Sequence, residues 1–207
     1  MNAEPDIRAV MCFWKWFEVS ASTLQSLVDD SNVSELTTLL APRVKLVSDQ
    51  IGWEIGPGIE QDFSFTISLN GDLRNLTIAE AVVVRAPSLV GWEFHAGKPP
   101  KKWDYRFSMH NNENKEVHID AGRWVYFLTA FDNITFVDIT LLAANLPRMD
   151  ERARDQAGMI VVEAAIGEKL MLERVDKIAI VDSVPDDKAS SLSSITLLSE
   201  HLASLFR

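Results

Sequence analysis

Of the four histidines, only His110 and His118 lie close enough along the chain to share a hairpin, with Asp120 two residues beyond. A strand places His118 and Asp120 on one face, so with His110 they supply the donor types of a two-histidine, one-carboxylate metal site. The spacing matches no metal motif, and Asn111-Asn112-Glu113-Asn114-Lys115 between them is turn chemistry. A solvated hairpin without metal is the favoured reading, because a lone cysteine and scattered histidines close no ligand set. Nucleophilic catalysis finds no better footing. Cys12 falls inside an amphipathic helix beside Phe13, where a buried or half-buried thiol is the common outcome. No serine stands in a Gly-x-Ser-x-Gly turn, and there is neither a Walker lysine nor a Gly-x-Gly-x-x-Gly loop. The expectation is therefore no catalytic residue and no cofactor. Among carboxylates, Glu163 and Glu168 stand out because the helix around them is so apolar; a buried acid of that kind suits proton transfer, whereas the favoured placement puts Glu163 on a polar edge with Arg152, Asp155 and Gln156.

Charge singles out a different stretch. The chain has 207 residues with 30 Asp and Glu against 20 Lys and Arg, a formal net charge of -10. Residues 1–97 carry 6 basic and 13 acidic side chains, residues 98–123 carry 6 and 4, and residues 124–207 carry 8 and 13. The middle stretch alone is net positive. It opens on Lys98-Pro99-Pro100-Lys101-Lys102-Trp103, a stiff basic loop, and the candidate binding residues are Lys98, Lys101, Lys102 and Arg106. Fixed lysines there suit an acidic patch on a protein partner, although lysines also serve simply to blunt a sheet edge. The acidic flanks argue against nucleic acid, whose phosphates need clustered cations. No run approaches the roughly 18 uncharged apolar residues of a membrane helix. One cysteine and an N-terminus without a signal-type apolar run point to a reducing, cytoplasmic setting, so the Asn-x-Ser/Thr triplets at Asn32, Asn75 and Asn133 read as accidental.

The elements that must position these residues follow from the hydrophobic period. Val10, Phe13, Trp14, Phe17, Ala21, Leu24 and Val28 recur at helical steps over 7–28, with Trp16 displaced to the helix boundary. A second helical pattern runs from Val33 to Val47, and Pro42 inside it predicts a kink or a restart. The period then becomes two. Strands are predicted about Trp53 and Ile55, over 63–69 and over 91–96, with a helix over 73–86 ended by Ala86-Pro87. Further strands are predicted over 102–109 and about Val117 and Ile119, then a hairpin of 123–130 and 134–143 turning at Asp132-Asn133. A helix over 150–166 capped by Gly167, a strand over 177–182 and a last helix over 189–206 complete the chain.

The segments Phe13-Trp14-Lys15-Trp16-Phe17, Trp53-Glu54-Ile55-Gly56-Pro57-Gly58 and Ala86-Pro87 leading into Gly91-Trp92-Glu93-Phe94-His95-Ala96 resemble an uncharacterised bacterial domain family of unknown function. Glu163-Ala164-Ala165-Ile166-Gly167-Glu168 followed by Lys177-Ile178-Ala179-Ile180 is similar to the same family. The resemblance implies a bacterial cytoplasmic protein and supplies no catalytic residues; by analogy it points to an immunity-like or accessory role.

The sequence thus predicts an α+β fold of antiparallel sheet built from two ββαβ units, with N-terminal helices and a C-terminal helix packed on them. Its segments are a helical stretch over 1–48, a first ββαβ unit over 49–101, a second sheet unit of the same order over 102–184 and a C-terminal helix over 185–207, joined in one compact domain. The expected function is protein interaction without catalysis. The competing class is a small-ligand binder or enzyme with a cleft between the two ββαβ units. No membrane and no nucleic acid are expected as partners, and the sequence sets no oligomeric state.

Overall fold

A computed structural model describes residues 5–111, 113–131 and 135–206. The predicted turn at Asp132-Asn133, the third triplet at Asn133, Asn112 in the polar tip and the first four residues lie outside the described residues. The chain divides into two compact units, Met1–Pro99 and Pro100–Arg207, and its α+β class is as the hydrophobic periods predict.

In the first unit, helix α1 (Ile7–Asp29) starts where the Asp6 carboxylate accepts the Arg8 N–H. It buries Val10, Phe13, Trp14, Phe17 and Leu24, the face that their spacing selects. Ser31, with φ of 53°, turns the chain into α2 (Val33–Val47), capped by Asn32. Asn32 thus serves as the cap of this helix. Helix α2 runs through Pro42 without a restart, and in that turn Arg43 Nη1 donates to the Leu39 carbonyl at 2.7 Å. The Arg43 guanidinium lies 4.1 Å from the Trp16 ring centre, which keeps that boundary tryptophan half-buried.

Strand β1 (Gly52–Pro57) pairs antiparallel with β2 (Phe63–Ser68), and β3 (Trp92–Ala96) returns parallel to β2. Between them α3 (Leu76–Val83) follows a short 3-10 turn and stops three residues before Ala86, so the helix is shorter at both ends than the predicted 73–86. Asn75 is buried, its amide donating to the Gln50 and Leu69 carbonyls, which removes the second triplet from solvent. Phe17 stands 5.1 Å from Phe65 and 5.0 Å from Trp92, and Trp14 stands 4.8 Å from Phe94. Burying such a ring contributes about 2–3 kcal/mol. Trp14 Nε1 also donates to the Val82 carbonyl at 2.8 Å, tying α1 to α3.

The second unit opens with a two-stranded sheet, β4 (Arg106–His110) and β5 (Glu116–Asp120). Strand β4 begins later than the alternation from residue 102 predicts because Tyr105 adopts φ of 60°, outside strand geometry. Strands β6 (Val125–Ala130) and β7 (Val137–Leu142) are antiparallel, and β8 (Val175–Val181) lies parallel to β7. Between β7 and β8, α4 (Glu151–Ile166) starts at Asp150, whose carboxylate accepts the Ala153 N–H, and stops at Gly167, where φ of 82° favours glycine. An unforeseen helix α5 (Glu168–Arg174) follows at once.

The C-terminal prediction over 189–206 needs correction. The apolar spacing is real, since Ile195, Leu198 and Leu202 are buried, but Ser193–Ser194 forms a short strand β9 against β6 and the helix α6 is confined to Leu198–Leu205. Sheet pairing with Val125 and Tyr126 supplies backbone partners that helix continuation would have supplied otherwise. The sheet order is β8-β7-β6-β9. Both ββαβ units have mixed rather than purely antiparallel sheets.

Candidate functional site

The chemistry-bearing residues of the central stretch meet on the β4–β5 hairpin. Its register sets Arg106 opposite Asp120, Ser108 opposite His118 and His110 opposite Glu116. Period two then puts all six on one face and Phe107, Met109, Val117 and Ile119 on the other. Met109 and Ile119 are buried in the core of the second unit, with Phe107 and Val117 packed against it. The polar face is outward: Arg106, Ser108, His110, Glu116 and His118 are exposed.

Two backbone bonds define the ladder. Ala121 N–H donates to the Tyr105 carbonyl and Asn111 N–H to the Lys115 carbonyl, each at 2.9 Å. In an antiparallel pair the hydrogen-bonded and non-bonded rungs alternate, so 107/119 and 109/117 are bonded rungs and 106/120, 108/118 and 110/116 are not. Non-bonded rungs bring side chains closest, which accounts for the 2.6 Å hydrogen bond shared by Ser108 Oγ and His118 Nδ1 and for Arg106 Nε at 3.3 Å from Asp120 Oδ2. Arg106 is also 3.7 Å from Asp104, whose carboxylate accepts the Arg106 N–H.

A depression of about 400 Å³ is lined by residues 106–108 and 118–120 of the hairpin. Serine bonded to histidine invites a nucleophile reading, but the third carboxylate is turned elsewhere. Asp120 faces Arg106 and accepts the Gly122 N–H, so it does not orient the imidazole. The same contacts divide the predicted ligand set, Asp120 going to arginine and His118 to Ser108. Among the described residues no group of three or more His, Cys, Asp or Glu is arranged to hold a metal ion.

The candidate basic residues divide between the two units. Lys98 belongs to the end of the first unit; Lys101, Lys102 and Arg106 belong to the second. Lys101 N–H donates to the Ala164 carbonyl in the last turn of α4 at 2.7 Å, which fixes the start of this unit while the Lys101 and Lys102 side chains are exposed. Of the four, Arg106 alone projects from the hairpin face.

Elsewhere the expectations shift. Cys12 is exposed rather than buried, because it falls on the side of α1 away from Val10, Phe13 and Phe17. It borders an open depression of about 410 Å³ with Lys15, Glu18 and Arg85. Glu163 is half-buried and the deeply buried acid is Glu168, 1% exposed at the first position of α5; neither residue is without a partner.

A polar centre that spacing did not reveal surrounds Glu93. Its carboxylate accepts the backbone N–H groups of Ile59, Glu60 and Gln61 at 2.6, 2.9 and 3.1 Å, and His95 Nε2 lies 3.0 Å away. Burial alone would raise the Glu93 pKa; the Ile59 N–H, His95 and the two further N–H groups outweigh it and bring it down to about 2. This centre holds the 58–62 turn onto β3. In the second unit the buried Tyr126 hydroxyl shares a 2.9 Å hydrogen bond with His201 Nδ1 of α6, and burial pushes the phenol up to about 12.

No helix among the described residues is long and apolar enough to cross a membrane. No protein-family model, curated protein or solved structure matches the chain, so the resemblance of its tryptophan-rich segments to an uncharacterised bacterial family has no matching family model behind it.

Proposed function

We propose that this chain is a non-enzymatic interaction protein whose contact residues in the second unit, Lys101, Lys102 and Arg106, meet a partner that presents acidic side chains. An immunity-like or accessory role in the bacterial cytoplasm is the setting that the resemblance suggests. The observation that carries this reading is the two-faced hairpin: its apolar side is held in a core while its polar side stands in solvent. Such a surface is preorganised, so little side-chain and backbone ordering opposes binding. The Pro99-Pro100 step stiffens the basic loop in the same way. The acidic flanks would repel a long polyanion, which leaves a short acidic contact. Lys101→Glu with Lys102→Glu tests the reading. A short fluorescein-labelled glutamate-rich peptide should bind the parent at low salt, lose affinity at high salt, and bind the double variant at least tenfold more weakly. Equal affinity and equal salt dependence for parent and variant would overturn it.

A further inference from the structure

We infer that the depression between α1 and the segment after α3 binds a small aromatic carboxylate, its ring against Met11 and Trp14 and its charge held by Lys15 and Arg85. The site lies within the first unit and does not depend on Lys101, Lys102 or Arg106. A volume of about 410 Å³ falls in the range of small-molecule sites. Its walls are apolar. Met11 stands 56% exposed, and a thioether in water gains from an aromatic ring laid against it. Pro87 lines the same depression. Trp14 is 3% exposed and its Nε1 already donates to the Val82 carbonyl, so what it offers a ligand is apolar ring surface. Lys15, Glu18 and Arg85 are exposed, which leaves the rim open to solvent.

The rim selects an anion. Residues 1–97 carry only 6 basic side chains against 13 acidic ones. Of those cations, Arg43 lies over the Trp16 ring and Arg74 pairs with Asp72, whereas Lys15 and Arg85 line one depression together. Neither has an ion pair among the described residues. Arg85 is anchored instead by a backbone acceptor: its Nη1 donates to the Ala81 carbonyl at 2.6 Å, in the last turn of α3. That bond steadies the guanidinium without neutralising it and leaves its further N–H donors for a carboxylate. Glu18 is the one acid in the lining, so the two cations leave an excess of a single positive charge. A monocarboxylate balances that excess, and the apolar walls reject an anion that lacks an apolar body.

Cys12 gives the site its own reporter, because the single cysteine of the chain is exposed at the edge of this depression. The experiment uses the full chain with naphthoate, its neutral amide and acetate as probes. In equilibrium dialysis naphthoate should bind with a Kd of about 1 mM or tighter, roughly tenfold more tightly than the amide or acetate. Saturating naphthoate should slow alkylation of Cys12 by iodoacetamide roughly threefold or more. Arg85→Gln and Lys15→Gln should each weaken binding about fivefold, while Glu18→Gln, which removes the opposing charge, should strengthen it about twofold. All three positions are exposed, so the variants keep the fold. Equal binding of naphthoate and its amide, or unchanged affinity in Arg85→Gln, would overturn the anion site. Binding that leaves the Cys12 rate unchanged would put the ligand elsewhere and overturn the proposal, as would no binding at all. Protection of Cys12 by a glutamate-rich peptide and not by naphthoate would assign the depression to a protein partner and overturn it as well.

Discussion

The two ββαβ units share a strand order and differ in what fills them. In the first, rings make the joint between helix and sheet: Phe13, Trp14 and Phe17 of α1 meet Phe65, Trp92 and Phe94. In the second, α4 lays Ala153, Ala157, Gly158 and Val161 onto the aliphatic sheet. A Cβ built on Gly158 would stand 3.1 Å from two carbons of Ile180. The supporting helix also comes from opposite ends of the chain, α1 before the first unit and α6 after the second. Topology here follows from the order of hydrophobic periods, while the spacing between layers follows from side-chain size.

The largest break in that comparison should come from Phe17→Ala, which leaves a ring-sized void. A cost of about 3–5 kcal/mol is expected in urea denaturation, and a loss under about 1 kcal/mol would show that the ring cluster is not the joint. Gly158→Val tests the other unit from the opposite direction, by overfilling. It should cost about 1–3 kcal/mol, whereas the same residue at exposed Met159, one position on, should be tolerated within about 0.5 kcal/mol.

Glu93 distinguishes the units by pH. Its folded pKa of about 2 lies below the ordinary 4.5, so the stability it contributes is complete above about pH 5 and disappears as the pH falls toward 2. Glu93→Gln should therefore flatten the acid limb of the first unit's melting curve and cost about 1–2 kcal/mol at neutral pH. An unchanged acid limb would assign the acid sensitivity to other carboxylates. The smallest effect is expected at a cap. Asp150→Ala should cost about 1 kcal/mol because its carboxylate caps α4, while α3 begins at Asn75, whose side chain makes no cap bond.

What was legible in the sequence was periodicity sustained over enough residues. The alternation through Phe63, Phe65 and Ile67 and the stop at Gly167 both correspond to what forms. Helix α5 was illegible because Glu168–Arg174 is too short to show a helical period after the break at Gly167. The last helix was overextended because Leu192, Ile195 and Leu198 keep helical spacing through a segment that pairs with β6 instead. At the candidate site, Arg106 was legible from charge. The bond between Ser108 and His118 was not, although counting back from the polar tip sets those two residues opposite each other. Glu93 left little signal, since apart from His95 two residues along the strand its partners are backbone N–H groups more than thirty residues away.

That separation gives the Glu93 bonds a place in time as well as in space. The turn joining β1 to β2 is closed by a carboxylate that arrives only with β3, after α3 has been laid down. A hairpin whose two strands adjoin in sequence can zip early, yet the Ile59, Glu60 and Gln61 amides stay unclaimed until the long crossover closes. In native-state hydrogen exchange those three amides should open with β3 rather than with the hairpin that contains them, and so report the last step of the first unit's assembly.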